Sequence, residues 1–297
     1  MRGEGLPFGN QERGAVCENA ANLLSKSLLE LRQQLKNQLD SIGEEILKAL
    51  DRDPRRGARR LAKQLRHLRQ DRLQENHRLT AMLRFEMPLW NQGIQLIAGV
   101  DEAGMAPLAG PVVAAAVILP KMYMLSGLND SKKITSERKR KELAQRIKQD
   151  AICWATGRAE VEEIDKLNIY WAGILAMQRA LSSLRVQPQY LLVDARTIPA
   201  CSCPQHSIIH GDSLSASIAA ASIIAKTERD EEMIAYDRIY PGYGFALHKG
   251  YPTADHLSAL RSQGPLPIHR KSFAPVRVLL GDRPVQKNFS EVYGESK

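Results

Sequence analysis

Residues 97–113 read IAGVDEAGMAPLAGPVV, an apolar run that ends on two adjacent carboxylates, Asp101 and Glu102, before glycine, proline and alanine break the pattern. The device recurs twice: YLLVD ends on Asp194, and SIIHGD ends on Asp212. A single acid at a strand end is ordinarily a turn residue or a helix N-cap. Three strand ends delivering four acids imply more. If those strands are neighbours the carboxylates repel one another, and only concentrated positive charge lets them share the space. Oxygen donors without histidine or thiolate match a hard divalent cation, Mg²⁺ or Mn²⁺. Two such cations about 4 Å apart can activate a water and stabilise the leaving oxygen of a phosphodiester. The leading chemistry is therefore metal-dependent hydrolysis of nucleic acid.

The charge balance fits that substrate. Lysine and arginine number 42 against 33 aspartates and glutamates, a net charge of +9, which favours polyanions, nucleic acid before anionic membrane. A chain of 297 residues can bury one sizeable core and carry a smaller unit beside it. No apolar run approaches the ~18 residues that would span a bilayer. The opening MRGEGLPFGNQERG carries charges and no apolar segment, so no secretory signal is expected. Cys17, Cys153, Cys201 and Cys203 lack a framework spacing and read as reduced thiols, which predicts a cytoplasmic protein. Cys201, Cys203 and His206 in IPACSCPQH lack the paired spacing of zinc modules and read as a plain loop.

Two regions must position these groups. The first reads as helical: Leu24, Leu28, Leu31, Leu35, Leu39, Ile42 and Ile46 recur at steps of three and four, and Ser41 with Glu44 could restart a helix through a capping box. Pro54 marks a further start. Between Arg52 and Arg72 eight arginines and one lysine face two aspartates. Arg52, Arg56, Arg59, Lys63 and Arg66 fall on one face, and Leu61, Leu65 and Leu68 on another. Such a helix suits a phosphate backbone, and the competing reading is the solvated face of a small bundle. From Leu96 strands and helices alternate. LIAGVDEAG, PVVAAAVIL, AICWATGRAEV, YLLVD and the run into Asp212 read as strands, and 136–149, 169–184 and 213–236 as helices. In the second helix Ile174, Met177, Ala180 and Leu184 face inward. The expected class is α/β, a mixed sheet flanked by helices and preceded by a helical N-terminal region.

The ordered blocks DEAGMAPLAGPVVAAAVILP, LNDSKKIT, IDKLNIY, YLLVDA, IHGDSLSASIAAASIIAKTERDEEM, YPGYGFALHKGYPTADH and IHRKSFAPV closely resemble bacterial ribonuclease HII, a type 2 ribonuclease H. The match runs from about Asp51 to about Arg277, in the form with a basic helical extension. It implies a ribonuclease H-like fold, with a helical extension at 1–92, a catalytic domain at 93–280 and a tail at 281–297. It implies cleavage of RNA paired to DNA, and incision at ribonucleotides embedded in duplex DNA as in ribonucleotide excision repair, leaving 5′-phosphate and 3′-hydroxyl ends. The partners implied are those two duplexes and no membrane, and the expected state is a monomer. The family's metal quartet, for Mn²⁺ or Mg²⁺, falls on Asp101, Glu102, Asp194 and Asp212. Asp230 in TERD is a rival for the fourth place, but the family puts that ligand at the GD that opens the helix. Asp230 is therefore expected to be structural, pairing near Arg229. The junction-reading tyrosine falls on Tyr251, whose ring can stack on the sugar beside the scissile phosphate. Lys132, Lys133 and Lys226 are candidate phosphate contacts.

The resemblance breaks in one informative place. The family reads Gly-Arg-Gly where this chain has Gly104, Met105 and Ala106, the triplet whose backbone recognises the ribonucleotide 2′-hydroxyl. Methionine removes a permanent charge and five donors. Alanine adds a Cβ, tolerated only where φ is ordinary. His210, before the GD, stands where lysine is common. These departures touch substrate reading and leave the metal ligands intact. Three readings follow: a ribonuclease HII with altered junction preference, a ribonuclease confined to hybrids, and a nucleic-acid-binding protein whose catalysis has decayed. His248, His256 and His269 read as structural or substrate-side, because hard cations prefer oxygen.

Overall fold

The computed structural model describes residues 25–281 apart from 38, 40 and 41. The expectations placed on the opening segment, Cys17, Leu24, Ser41 and residues 282–297 lie outside the described residues. Contacts divide the chain into two compact units, parting between Arg78 and Leu79.

The first unit is helical. Helices Leu28–Asn37, Glu44–Arg52 and Arg56–Ala81 follow one another, the last running on past Arg78. Leu31, Leu35, Leu47, Leu50, Leu61 and Leu65 bury together as this unit's own core. The leucine stripe is thus interrupted, as the restart at Glu44 predicts, but Gly43 occupies the N-cap with no side-chain cap bond. Leu68, expected on the apolar face, is exposed. Among the arginines of the basic face, Arg66 pairs with Asp51 at 2.6 Å and Arg59 donates to the Asp53 carbonyl, while Arg52, Arg56 and Lys63 are exposed.

The second unit is a five-stranded sheet in the order β3-β2-β1-β4-β5. Its strands are β1 (Ile97–Ala103), β2 (Val112–Ile118), β3 (Cys153–Ala159), β4 (Tyr190–Asp194) and β5 (Gln205–Ile208). β1 and β2 are buried on both faces, which is why they read as continuous apolar runs rather than alternating ones. β2 runs antiparallel to β1, with Asp101 opposite Ala115. β4 runs parallel to β1, with Val100 opposite Val193, and β5 parallel to β4, with Asp194 opposite Ile208. Parallel pairing sends the carboxyl ends of β1, β4 and β5 to one edge, and with them the acids.

Helix Ile169–Ser182 covers one face of the sheet, burying Ile174, Met177 and Ala180 against Val100, Ala114 and Val193; Leu184, just past its end, is buried with them. Helix Ala216–Ile239 covers the other face, where its alanines permit close approach. A Cβ on Gly99 of β1 would lie 2.0 Å from the Ser217 backbone, so only glycine lets this helix sit so close to the central strand. The single helix expected at 213–236 is in fact two, Gly211–Leu214 and Ala216–Ile239. Ser215 is extended between them and caps the second by accepting from the Ile218 amide. Leu79, Met82, Leu83, Leu89 and Trp90 join this second core, so helix Glu86–Asn91 packs with the sheet. No helix among the described residues is long and apolar enough to cross a membrane.

Candidate active site

At the carboxyl edge of β1, β4 and β5, Asp194 stands within electrostatic reach of each of the other three predicted acids, Asp101, Glu102 and Asp212. Asp101 is 3% exposed, and its Oδ1 accepts the Glu102 amide at 2.7 Å. Ser222 of the alanine-rich helix, whose Oγ pairs with Ser131 at 2.9 Å, lies near enough to oppose the rise of the Asp101 carboxyl. Asp194 accepts the Gly211 amide at 2.7 Å, so one predicted acid fixes the turn that presents the next. His210 makes that turn in the left-handed region, at φ 58°. Asp212 follows at 4% exposure, with Lys132 Nζ 3.4 Å from its Oδ2. Lys133 Nζ donates to Ser213 Oγ at 2.9 Å, which places two exposed ammonium groups beside Asp212 and its neighbour. Arg196 Nη2 lies 3.3 Å from Glu102 Oε1, and the buried Glu102 Oε2 meets no donor.

This crowding shifts the acids as Coulomb's law requires. Burial pushes the Asp101 carboxyl well above the usual range, and Glu102 and Asp194 push it further. Burial also raises Glu102, with Arg196 opposing and Asp194 reinforcing the shift. Asp212 rises through burial and the nearby Asp130, against the pull of Lys132. Among the described residues no three acidic, histidine or cysteine side chains form a group that could hold a metal ion as they stand. By donor type the set still fits a hard divalent cation. It is all oxygen, it carries unmet negative charge, and one buried carboxylate oxygen is orphaned.

Asp230 lies in a different network. It is buried and holds Arg140 at 2.9 Å and Lys226 at 2.6 Å. A structural role was expected, but its partners are these two and not Arg229. Arg229 instead donates to the carbonyls of Pro111, Lys249 and Ala109. Arg270, equally buried, donates to the carbonyls of Gly104, Met105, Gly110 and Pro111. These two guanidinium groups clamp the Gly104–Pro111 turn to the segment before Tyr251. Burial, then the charge of Arg229, lowers the Arg270 guanidinium to about 9. Gly104 has φ +99°, and a Cβ there would lie 2.2 Å from Arg229 Nε, so the first position of the triplet admits only glycine. Ala106 is not among the residues of positive φ, so its methyl is accommodated. Lys226 and Arg229 sit over the half-buried Tyr251 ring at 5.5 and 6.0 Å from its centroid.

Arg196, Ser222 and Arg270 escaped the reading from sequence, and Arg229 entered it only as a neighbour of Asp230. The two clamp arginines lie in motif blocks, TERD and IHRKSF, that look like surface charge, and nothing in their spacing marks them as buried.

Residues 98–276 match the family model described as ribonuclease HII, and residues 27–90 match that of the ribonuclease HII N-terminal domain. The chain is 58% identical over 265 residues to ribonuclease HII of Myxococcus xanthus, covering 89% of this chain and 90% of that one. It is 53% identical over 265 residues to ribonuclease HII of an Anaeromyxobacter species, covering 89% and 84%. Its fold is similar to that of ribonuclease H2 from Pyrococcus horikoshii, with TM-score 0.54 and 25% identity over 62% of this chain and 96% of that one. It is also similar to the structure of a PCNA:ribonuclease HII complex from Archaeoglobus fulgidus, with TM-score 0.51 and 24% identity, covering 66% and 100%.

Proposed function

The chain belongs to the ribonuclease HII family, and from that premise we propose that it incises at ribonucleotides embedded in duplex DNA as well as within RNA–DNA hybrids. Family membership makes it a metal-dependent ribonuclease acting on the RNA strand of hybrids. The observation that supports the site is the meeting of Asp101, Glu102, Asp194 and Asp212 at one sheet edge, with the Glu102 oxygen unmet. Divalent cations held by these four carboxylates, Mn²⁺ or Mg²⁺ and two of them in this reading, would activate water and stabilise the departing 3′-oxygen, leaving 5′-phosphate and 3′-hydroxyl ends.

The remaining roles belong to the chain's own residues. Asp194 holds Gly211 and so presents Asp212. Arg196 orients Glu102. Lys132 and Lys133 border Asp212 as phosphate contacts, and Lys226, paired with Asp230 and over the Tyr251 ring, is the third. Tyr251 stacks on the sugar at the ribonucleotide junction. Gly104, Met105 and Ala106 read the 2′-hydroxyl through their backbone. Arg270 supports that turn from its carbonyl side, which does not depend on the side chain at 105. Residues 1–92 bring exposed arginines to the duplex or a partner, 93–280 carry catalysis, 281–297 form a tail, and the protein acts as a cytoplasmic monomer.

Two substrates test the reading: a long RNA–DNA hybrid and a DNA duplex with one ribonucleotide. Metal-dependent cutting of both is expected. Cutting of the hybrid alone would favour the second reading, which the loss of the arginine at Met105 motivates. Binding without cutting would refute catalysis by this quartet.

A further inference from the structure

Behind Tyr251 lies a cluster that the active site leaves unused. His256 and His269 are buried, His248 nearly so, and they pack with Tyr243 and Phe245. His248 and His256 stack face to face with ring centroids 4.3 Å apart. Their hydrogen bonds leave each ring one arrangement. The Leu266 amide donates to His269 Nδ1 at 2.9 Å, so in the neutral ring the proton of His269 sits on Nε2. That Nε2 lies 3.0 Å from His256 Nε2, which must therefore accept, leaving the proton of His256 on Nδ1. From Nδ1, His256 donates to the Tyr251 carbonyl at 2.9 Å. His248 follows the same logic: it accepts the Gly250 amide on Nδ1 at 3.1 Å and donates from Nε2 to the Tyr243 carbonyl at 2.8 Å. The chain of donors runs in one direction and ends on the residue proposed to read the substrate. The Tyr251 carbonyl also accepts the Thr253 amide at 2.8 Å, so both of its lone pairs are occupied.

We propose that His256, held in its Nδ1–H tautomer by His269, is a positioning residue that fixes the Tyr251 backbone and thereby aims its ring at the substrate. The inference rests on the proposed role of Tyr251. Burial keeps the relay neutral, lowering His256 and taking His269 down to about 4. Protonating His256 would set two N–H groups against each other across the 3.0 Å contact, and protonating His269 would set its Nδ1–H against the Leu266 amide.

Two substitutions of one residue separate the two arms of the relay. Gln at 256 can place an acceptor where Nε2 stands but reaches past the Tyr251 carbonyl. Asn can place an N–H where Nδ1 stands and keeps that bond. Both remove the ring. His256→Gln should lower kcat/KM by about fivefold, the scale of one neutral hydrogen bond, on whichever of the two substrates Tyr251→Ala also lowers. His256→Asn should recover most of that loss, and in a Tyr251→Ala background the Gln effect should vanish. If Tyr251→Ala changes neither substrate, the reading of Tyr251 fails. If it does but Gln and Asn behave alike, or the Gln effect persists without the tyrosine ring, the positioning role fails. Should the variants not fold, nitrogen-15 NMR of the intact protein at neutral pH decides: the proton is expected on Nδ1 of His256 and on Nε2 of His269, and either opposite tautomer overturns the proposal.

Discussion

Acidification should destabilise this protein through His269 in a window set by its burial. Its imidazole is ordinarily half-protonated near 6.5, and in the fold burial and the facing His256 lower that to about 4. Between these values the unfolded chain binds a proton that the folded chain refuses, so stability rises with pH there. The contribution is fully present above 6.5 and is lost as pH falls toward 4. A displacement of about 2.5 pH units corresponds to roughly 3 kcal/mol when the acid limit is reached. That is a large share of the 5–15 kcal/mol typical of a folded domain. The raised carboxyls of Asp101, Glu102 and Asp212 act with the opposite sign, taking up protons in the fold before they do so in the unfolded chain. The histidine must therefore be read as a difference. Urea unfolding of the wild type and of His269→Gln, followed from pH 7.5 to 4.5, isolates it. Gln retains a donor toward His256 and cannot titrate. At pH 7.5 the variant should be less stable by about 1 kcal/mol, because the Leu266 amide loses its acceptor. By pH 4.5 the order should reverse. Parallel profiles would show that His269 takes up its proton equally in both states, and the argument from burial would be refuted.

Asp194→Asn should abolish turnover on both substrates while duplex binding stays within about twofold, since asparagine can still accept the Gly211 amide but lacks the charge; near-normal single-turnover rates would remove Asp194 from the metal quartet. Met105→Arg combined with Ala106→Gly should raise incision at single ribonucleotides relative to hybrid cleavage, and an unchanged ratio would mean that the triplet does not set it. Gly104→Ala should cost about 3 kcal/mol in urea unfolding, from the positive φ and the 2.2 Å approach to Arg229, with hybrid cleavage lost in proportion to the displaced turn. A loss below about 1 kcal/mol would show that the clamp yields freely.

Much of the site was legible because strands and their ends leave strong marks. Burial on both faces makes β1 and β4 continuous apolar runs, so a carboxylate at the end of each stands out, and the acids at 101, 102, 194 and 212 are legible from the sequence alone. The helix after Asp212 was legible as an element, but its close approach to the sheet depends on Gly99, on which no reading from sequence turned. Boundaries were less secure where a cap intervened. Ser215 splits the predicted helix because its hydroxyl is bound to Glu86, a partner 129 residues away that local pattern cannot reveal.

By itself, then, the sequence determined which side chains could hold a divalent cation and which strands would carry them, since residue type and burial period are local properties. The tertiary structure alone decided that parallel pairing of β1, β4 and β5 brings those ends together. It also decided that Arg229 and Arg270 turn inward to main-chain carbonyls and that three histidines align behind Tyr251. A backbone carbonyl is the same acceptor at every residue, so what an arginine or imidazole will bond to becomes known only when distant segments have met.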